Sequence, residues 1–425
     1  MTIAIFLGSL FAAMALGVPI AFSLLLCGAA LMWHMNMFDA QILAQNVIEG
    51  ANSFPLLAVP FFMLAGEIMN AGGLSKRIVN FAMALVGHVR GGLGYVTIIA
   101  AVIMASLSGS AVADAAALTA LLLPMMVAAG HDRARSAGLI ASAGIIAPII
   151  PPSIGFVIFG VAGGVSISKL FMAGIVPGVL LAASLWGTWW WLVRKEVVTP
   201  PPRKSAAEVM VALKEATWAL VLPFIIVFGL KFGVFTPTEA AVVAAVYALF
   251  ISVFVYGELN FKKLVPLFIS AATTCSVVMF LVAAAMVSAW LITVANLPAQ
   301  VVALLQPLLD SPRLLMLAIM VLTMVVGTAL DMTPTILLLT PVLMPVVKAA
   351  GIDPVYFGVL FIINNAIGLI TPPVGTVLNA VAGVGKIGMD EVTKGVVPFM
   401  IAQFAIMFLM VAFPSLVMVP ARWFY

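Results

Sequence analysis

Charged residues are scarce in this chain. Of its 425 residues only 8% are Asp, Glu, Lys or Arg, whereas 64% are hydrophobic and the mean hydropathy is +1.27. Because about a quarter of the residues of a soluble domain are charged, this composition excludes such a domain and predicts a polytopic membrane protein. The basic residues are few and fall in loops, so the net charge of +4 does not indicate nucleic-acid binding.

Cysteine and catalytic motifs are also scarce. The two cysteines, Cys27 and Cys275, lie in apolar segments, so we expect buried thiols rather than a disulfide. No Walker-type phosphate loop occurs, so an ATP-driven role would need another subunit. The three histidines fall near loops, which leaves an intramembrane enzyme without support. The first apolar run has no basic start, and we expect no cleavable signal peptide.

The apolar runs predict an all-α membrane protein with about ten transmembrane helices. The first run, residues 3–33, is too long for one helix and is expected to fold back at Gly17–Pro19. A charged, proline-rich segment, residues 196–217, divides the chain near its middle. We therefore expect two halves, residues 1–195 and 218–425, joined by a cytoplasmic linker.

Two apolar stretches are interrupted by small polar residues. Ser106–Ser110 interrupts the stretch 91–130, and Gly327–Pro334 interrupts the stretch 312–351. Broken backbone at membrane depth is tolerated only where protein buries it or where it lines a cavity. We therefore predict two re-entrant hairpins whose tips, at these polar residues, meet around a substrate.

Proline positions repeat at an offset of 221 residues. At this offset Pro124 falls on Pro345, and the proline pair in residues 151–153 falls on the pair in residues 371–373. Adjacent prolines break a helix because each lacks the amide donor and crowds the preceding turn. The coincidence predicts two copies of one architecture, each with a hairpin followed by a broken helix.

The basic residues predict the orientation of the two halves. If the linker is cytoplasmic, alternation of the spans places 14 of the 19 Lys and Arg residues on that side. These residues are Lys76, Arg77, Arg90, Arg133, Arg135, Arg194, Lys195, Arg203, Lys204, Lys214, Lys262, Lys263, Lys386 and Lys394. The same alternation makes the hairpins enter from opposite faces, with both termini outside. Inverted repeats with a binding site at the midplane are the design of secondary transporters.

The tips and the breaks place helix ends at membrane depth. A starting helix offers free N–H groups, which suit an anion, and an ending helix offers free carbonyls, which suit a cation such as Na⁺. Two cation sites are expected, with ligands from Ser106, Ser108, Gly109, Ser110, Pro151 and Ser153 at one and from Gly327, Thr328, Asp331, Thr333, Thr371 and Gly375 at the other. The alternative interpretation is that the hydroxyl residues only cap helices.

Hydroxyl and amide side chains near the tips are candidates for contact with an organic solute. They are Ser108, Ser110, Thr328, Asn364 and Asn365. The two asparagines lie in mid-span just before the second break. We expect them to face the cavity, because packing two adjacent amides in an apolar core is expensive.

Intramembrane acids are functional candidates by default. Asp331 lies at the second tip and is expected to coordinate the ion. Asp114 lies in the first turn after the other tip, where stabilisation by the helix dipole explains it equally well. Glu239 belongs to the capping box that begins at Thr236 and is expected to be structural. Glu67, near the end of its span, receives no role from the sequence.

Eight short motifs occur in order along the chain. They are Pro60–Gly66 (PFFMLAG), Arg90–Leu93 (RGGL), Ser108–Ser110 (SGS), Ile150–Ile154 (IPPSI), Leu170–Gly174 (LFMAG), Phe235–Glu239 (FTPTE), Gly351–Pro354 (GIDP) and Leu369–Gly375 (LITPPVG). With these motifs the chain resembles, over essentially its whole length, the large membrane subunit of tripartite ATP-independent periplasmic (TRAP) transporters.

The resemblance implies uptake of a carboxylate-bearing solute across the bacterial inner membrane, driven by two or more Na⁺ ions. It implies that the hairpins and broken helices move as an elevator against a scaffold. It also implies two partners, a periplasmic substrate-binding protein and a small four-helix membrane subunit. The narrower resemblance is to members that handle sugar acids such as sialic acid or diketogulonate. The alternatives are a transporter of C4-dicarboxylates or other organic acids and, from a different class, an ion channel or exchanger subunit.

Overall fold

The computed structural model describes residues 2–194, 196 and 198–424 of the chain. These residues form helices and turns without a β-strand, which confirms the all-α prediction. The helices are α1 (Thr2–Ala15), α2 (Ile20–His34), α3 (Ala40–Ala51), α4 (Ala58–Ala71), α5 (Leu74–Val86), α6 (Gly92–Ser108), α7 (Ala111–Ala128), α8 (Arg133–Gly144), α9 (Ile154–Gly163), α10 (Ile167–Val193), α11 (Ala206–Lys231), α12 (Pro237–Phe250), α13 (Phe261–Val294), α14 (Leu297–Leu304), α15 (Gln306–Leu309), α16 (Pro312–Gly327), α17 (Met332–Ala349), α18 (Pro354–Gly368), α19 (Thr376–Gly385), α20 (Met389–Ala412) and α21 (Ser415–Ala421). A 3₁₀ turn (Phe54–Leu57) precedes α4, and a π turn (Ile251–Val255) follows α12. Lys195, one of the residues expected on the cytoplasmic side, lies outside the described residues.

Eight helical segments of the described chain are long and apolar enough to cross a membrane. Two of them, α7 and α17, are the second arms of the hairpins, and the other six, α4, α10, α11, α12, α13 and α20, are spans expected from the sequence. Two further expected spans are divided at the breaks, into α8 and α9 and into α18 and α19. The first two, α1 and α2, are shorter, with 14 and 15 residues.

The first apolar run folds back on itself. α1 ends at Ala15 and α2 begins at Ile20, and Gly17 between them has a φ of +80°, which glycine adopts without a Cβ penalty. The amide of Val18 donates to the carbonyl of Ala13 at 3.1 Å and closes the turn. The predicted fold-back at Gly17–Pro19 is therefore confirmed.

The segment that joins the two halves is shorter than expected. α11 begins at Ala206 because Ser205 and Glu208 form a capping box. The Ser205 hydroxyl accepts from the Glu208 amide at 3.2 Å, and the Glu208 carboxylate accepts from the Ser205 amide at 2.8 Å. The prediction that residues 196–217 are all linker, with a span from Trp218, was wrong: their last twelve residues belong to α11.

Both halves contain the same order of elements. In the first half α6 and α7 form a hairpin, α8 and α9 form a broken helix, and α10 follows. In the second half α16 and α17, then α18 and α19, and then α20 occur in the same order. The Pro–Pro peptide bond is cis in both breaks. Each predicted hairpin is thus followed by the predicted broken helix.

Contacts with α20 show that the two hairpins enter from opposite ends. Arg133, just after the first hairpin, donates to the carbonyl of Lys386 at 2.8 Å, close to the start of α20. Tyr356, just after the second hairpin, donates to the carbonyl of Met410 at 3.0 Å, close to the end of α20. Because the 24 residues of α20 span about 36 Å, the open ends of the hairpins lie on opposite sides of the molecule.

Candidate functional site

The first hairpin tip is a tight turn between two helices. α6 ends at Ser108, Gly109 has a φ of +63°, and Ser110 caps α7 by accepting from the Ala113 amide at 3.4 Å. The Ser108 hydroxyl donates to Asp114 Oδ1 at 2.6 Å. Asp114 is 1% exposed, and its other carboxylate oxygen has no hydrogen-bond partner among the described residues.

The first tip packs against the first break. A Cβ atom on Gly109 would lie 2.8 Å from the carbonyl oxygen of Pro152, so only glycine fits there. Ser153 begins α9, where its hydroxyl accepts from the Phe156 amide at 3.1 Å and donates to the Pro148 carbonyl at 2.5 Å. The hydroxyl of Ser153 is thus already used to hold the break.

The second tip is a looser turn around a carboxylate. α16 ends at Gly327, and Asp331 precedes α17 without capping it through its side chain. Thr376, the first residue of α19 beyond the second break, donates to Asp331 Oδ1 at 3.1 Å. The amide of Val374 also donates to the carbonyl of Thr328 at 3.4 Å. The second tip is therefore joined to the second break by both backbone and side chains.

Both tips line one cavity of about 420 Å³. The first tip contributes Ser108, Gly109 and Ser110, and the second contributes Asp331, Met332 and Thr333. The opposite wall belongs to α4 and α13, with Met63, Gly66, Glu67, Asn70, Ala271, Thr274 and Val278. Of the described residues that line this cavity, two are acidic, Glu67 and Asp331, and none is basic.

Several predicted site residues lie outside this cavity. Ser106 donates to the Ile103 carbonyl of its own helix at 2.6 Å, and Thr328 donates to the Val325 carbonyl at 2.7 Å. Thr371 donates to the Ile367 carbonyl at 2.8 Å and contacts the sulfur of Met400. Pro151, Ser153, Gly327 and Gly375 are at the tips and breaks but do not line the cavity.

The two asparagines do not face the cavity. Asn364 is buried and donates to the carbonyl of Met320 at 2.5 Å, and Asn365 is buried and donates to the carbonyl of Phe361 at 2.7 Å. Both amide oxygens lack a hydrogen-bond partner among the described residues. The expectation that Asn364 and Asn365 face the cavity was wrong, because both amides are buried and donate to backbone carbonyls. Their contact with a solute stays a prediction.

Sequence reasoning missed three polar side chains near the cavity. Asn70 and Thr274 lie on its wall, and Thr376 reaches Asp331 from the second break. Thr376 carries a weak signal, since it is a hydroxyl residue that begins a helix after a Pro–Pro break. Asn70 and Thr274 carry none, because only the packing of α4 and α13 against the tips brings them there.

Two re-entrant hairpins whose tips meet at one cavity, each facing a broken helix, are the architecture of a secondary transporter. The profile of the family described as "Tripartite ATP-independent periplasmic transporter, DctM component" matches residues 7–416. The chain belongs to this family, as its motifs predicted. It is therefore a multi-pass transport subunit of the bacterial inner membrane and not an enzyme.

Known proteins are similar in sequence to this chain over most of its length. The 2,3-diketo-L-gulonate TRAP transporter large permease protein YiaN of Escherichia coli is 58% identical over 100% of both chains. The sialic acid TRAP transporter large permease protein SiaM of Vibrio cholerae is 38% identical over 96% of this chain and 95% of its own. The C4-dicarboxylate TRAP transporter large permease protein DctM of Rhodobacter capsulatus is 34% identical over 98% of both.

A solved structure shares the fold. The YdaH transporter of Alcanivorax borkumensis superposes with a TM-score of 0.68 over 91% of both chains. Its sequence identity is only 15%, so the likeness concerns the fold alone. It agrees with the helical membrane architecture described above.

Proposed function

We propose that this subunit carries out Na⁺-coupled uptake of a carboxylate-bearing sugar acid. The name of the Escherichia coli relative, 58% identical over the whole chain, favours a solute of the 2,3-diketo-L-gulonate kind over sialic acid or a C4-dicarboxylate. By family membership, a small four-helix membrane subunit and a periplasmic substrate-binding protein complete the transporter.

The charge of the cavity carries the proposal of Na⁺ coupling. Glu67 and Asp331 line it without a basic side chain, so an organic anion alone would meet like charge there. Bound cations remove that repulsion. Na⁺ would therefore bind before or together with the carboxylate, and the anion would follow the cation gradient.

The oxygen atoms at the tips suit such ions. Asp331 accepts one hydrogen bond through Oδ1, from Thr376, and Asp114 has a buried oxygen without a partner. The last carbonyl groups of α6 and α16 also point out of their helix ends. A hard cation prefers carboxylate, carbonyl and hydroxyl ligands of this kind. One Na⁺ at each tip would be coordinated by the carboxylate and the helix-end carbonyl groups of that tip.

The wall formed by α13 supports alternating access by an elevator movement. Ala271, Thr274 and Val278 face the tips, in the half of α13 nearer its expected cytoplasmic end. A second cavity of about 480 Å³ follows the same helix face, at Ala289 and Thr293, and α17 forms part of it. Thr274 and Ala289 are about 22 Å apart along the axis. The tips would move along this face between two openings.

Uptake into proteoliposomes tests the proposal. The subunit is reconstituted with its small subunit and binding protein, and labelled 2,3-diketo-L-gulonate is supplied under an inward Na⁺ gradient. We expect accumulation, with no accumulation under an equal K⁺ gradient. Sialic acid and a C4-dicarboxylate serve as competitors that rank the solutes. Absence of Na⁺-driven accumulation for every carboxylate would refute the proposal.

A further inference from the structure

A third cavity, lined mostly by polar side chains, lies away from the transport site, at the expected cytoplasmic surface. It has a volume of about 460 Å³ and lies between the start of α5, the first part of α11 and the turn after α12. Its lining includes Lys76, Arg77, Asn80, Lys214, Glu215, Trp218, Val255, Tyr256 and Glu258. None of these residues contributes to the transport cavity.

One wall of this cavity is held rigidly by Arg77. Its guanidinium group lies 3.8 Å from the centroid of the Tyr256 ring and pairs with Glu258 at 3.3 Å. The Tyr256 hydroxyl donates to the carbonyl of Glu215 at 2.7 Å, which joins this wall to α11. Burial raises the pKa of Tyr256, so its hydroxyl stays a neutral donor at physiological pH. Because Glu258 pairs with Arg77, its negative charge is already balanced.

The remaining charges of the cavity are unbalanced. Lys76 and Lys214 are exposed and have neither an ion pair nor a hydrogen bond through their ammonium groups within the described chain. Against these two cations stands one carboxylate without an ion pair, that of Glu215. The cavity is thus net positive and has free ammonium donors, which suits a phosphate group.

The position of the cavity selects the source of that phosphate. Trp218 is 45% exposed and stands where α11 becomes continuously apolar, and Val255 is 41% exposed beside it. Exposed tryptophan at such a level marks the membrane interface, and basic pockets between helices on the cytoplasmic side bind lipid head groups. Apolar side chains at the rim would contact the acyl chains of the same molecule.

We propose that this cavity binds the head group of an anionic membrane phospholipid, with its phosphate held by Lys76 and Lys214. Asn80 supplies a further polar contact, and Trp218 covers the glycerol region. The bound lipid would bridge α5 and α11, which pack directly on each other. It would thereby brace the part of the molecule that stays outside the hairpins.

Lipid titration of the purified full chain tests this site. The protein is stripped of lipid in detergent, and either phosphatidylglycerol or inorganic phosphate is added. Native mass spectrometry counts the bound lipid molecules, and the melting temperature of the protein is measured in parallel. The variant Lys76→Ala/Lys214→Ala should bind phosphatidylglycerol roughly tenfold or more weakly, because two surface lysines are lost. Lys76→Arg/Lys214→Arg should bind as the parent does, which separates lost charge from misfolding.

The matched control is Lys262→Ala/Lys394→Ala, which removes two lysines expected on the same face but outside the cavity. This control should keep the affinity of the parent. Equal weakening in both alanine pairs would show general attraction to the surface and overturn the proposal, as would unchanged binding in Lys76→Ala/Lys214→Ala. An equal thermal shift with inorganic phosphate would also overturn it, because the phosphate would then not need to come from a lipid.

Discussion

At the scale of single residues, Asp331 is the most consequential side chain of the site. It lies at the second tip, lines the cavity and receives a hydrogen bond from Thr376, with no basic partner among the described lining residues. A carboxylate at membrane depth without a counter-charge is unfavourable. A bound Na⁺ would supply that positive charge. Loss of the Asp331 carboxylate should therefore weaken Na⁺ binding.

Replacement of Asp331 by Asn should weaken the Na⁺ dependence of transport. The amide keeps the size of the side chain and can still accept from Thr376, but it lacks the negative charge. We expect the Na⁺ concentration for half-maximal uptake to rise roughly tenfold, which corresponds to about 1.4 kcal/mol. Asp353→Asn is the matched control, because Asp353 caps α18 and asparagine caps equally well. An unchanged Na⁺ response of Asp331→Asn would remove this residue from the ion site.

Thr376 and Thr371 offer a second test at this scale. The Thr376 hydroxyl donates to Asp331, whereas the Thr371 hydroxyl donates to the Ile367 carbonyl near the end of α18. Thr376→Val should therefore lower the apparent affinity for Na⁺ several-fold, about 1 kcal/mol, and Thr376→Ser should restore it. Thr371→Val should leave Na⁺ affinity near that of the parent. Uptake titrated with Na⁺ measures all three, and a larger effect at Thr371 would contradict this assignment.

At the scale of elements, each hairpin is fixed both at its tip and at its open end. At the first hairpin, the indole of Trp189 donates to the Gly91 carbonyl at 2.8 Å. The carboxylate of Glu196 pairs with His131 at 2.9 Å and with Arg135 at 2.8 Å. Trp189 and Glu196 thus tie the open end of the first hairpin to α10 and the start of the linker.

Loss of the Glu196 contacts should lower stability. In Glu196→Gln the ion pair with Arg135 loses its charge, and the buried His131 loses its carboxylate partner. Because Arg135 is partly exposed, we expect only about 1–2 kcal/mol of destabilisation. Thermal unfolding in detergent measures it. Lys204→Ala, which removes a surface pair, is the control, and equal effects of the two variants would contradict this role of Glu196.

The contact between the first tip and its break can be isolated with a pair of glycines. Gly109 and Gly164 have φ values of +63° and +64°, but only Gly109 has neighbours within 4 Å of an added Cβ. Alanine at either position costs about 1–2 kcal/mol of backbone strain. Gly109→Ala should in addition push the tip away from Pro152 and reduce uptake at least several-fold. If Gly164→Ala reduces uptake of the folded protein as strongly, the tip–break contact is unimportant.

The sequence predicted helix interruptions better than side-chain directions. The small polar residues of Ser106–Ser110 and Gly327–Pro334 located the tips, and the two Pro–Pro pairs located the breaks, because prolines fix backbone geometry. Asn364 and Asn365 were misjudged, because the direction of a helical side chain depends on neighbours that periodicity does not identify. The start of α11 was misplaced because its capping box lies within a segment that composition marks as polar.

At the scale of the whole molecule, the two hairpins approach one cavity from opposite ends. The contacts of Arg133 and Tyr356 with opposite ends of α20 establish this arrangement, and the lining of the cavity brings both tips together. We propose that a site built between two such tips is reached from either side as the hairpins move against α4 and α13. If Na⁺ neutralises its two acids, Glu67 and Asp331, cation binding becomes a condition of anion binding.

The affinity of the purified transport complex for its sugar acid at different Na⁺ concentrations tests this condition most directly. Calorimetry at fixed ionic strength, with Na⁺ replaced stepwise by choline, measures it without a membrane gradient. We predict that affinity falls steadily as Na⁺ is removed and that 2,3-diketo-L-gulonate does not bind measurably in choline alone. Equal affinity in Na⁺ and in choline would contradict the account.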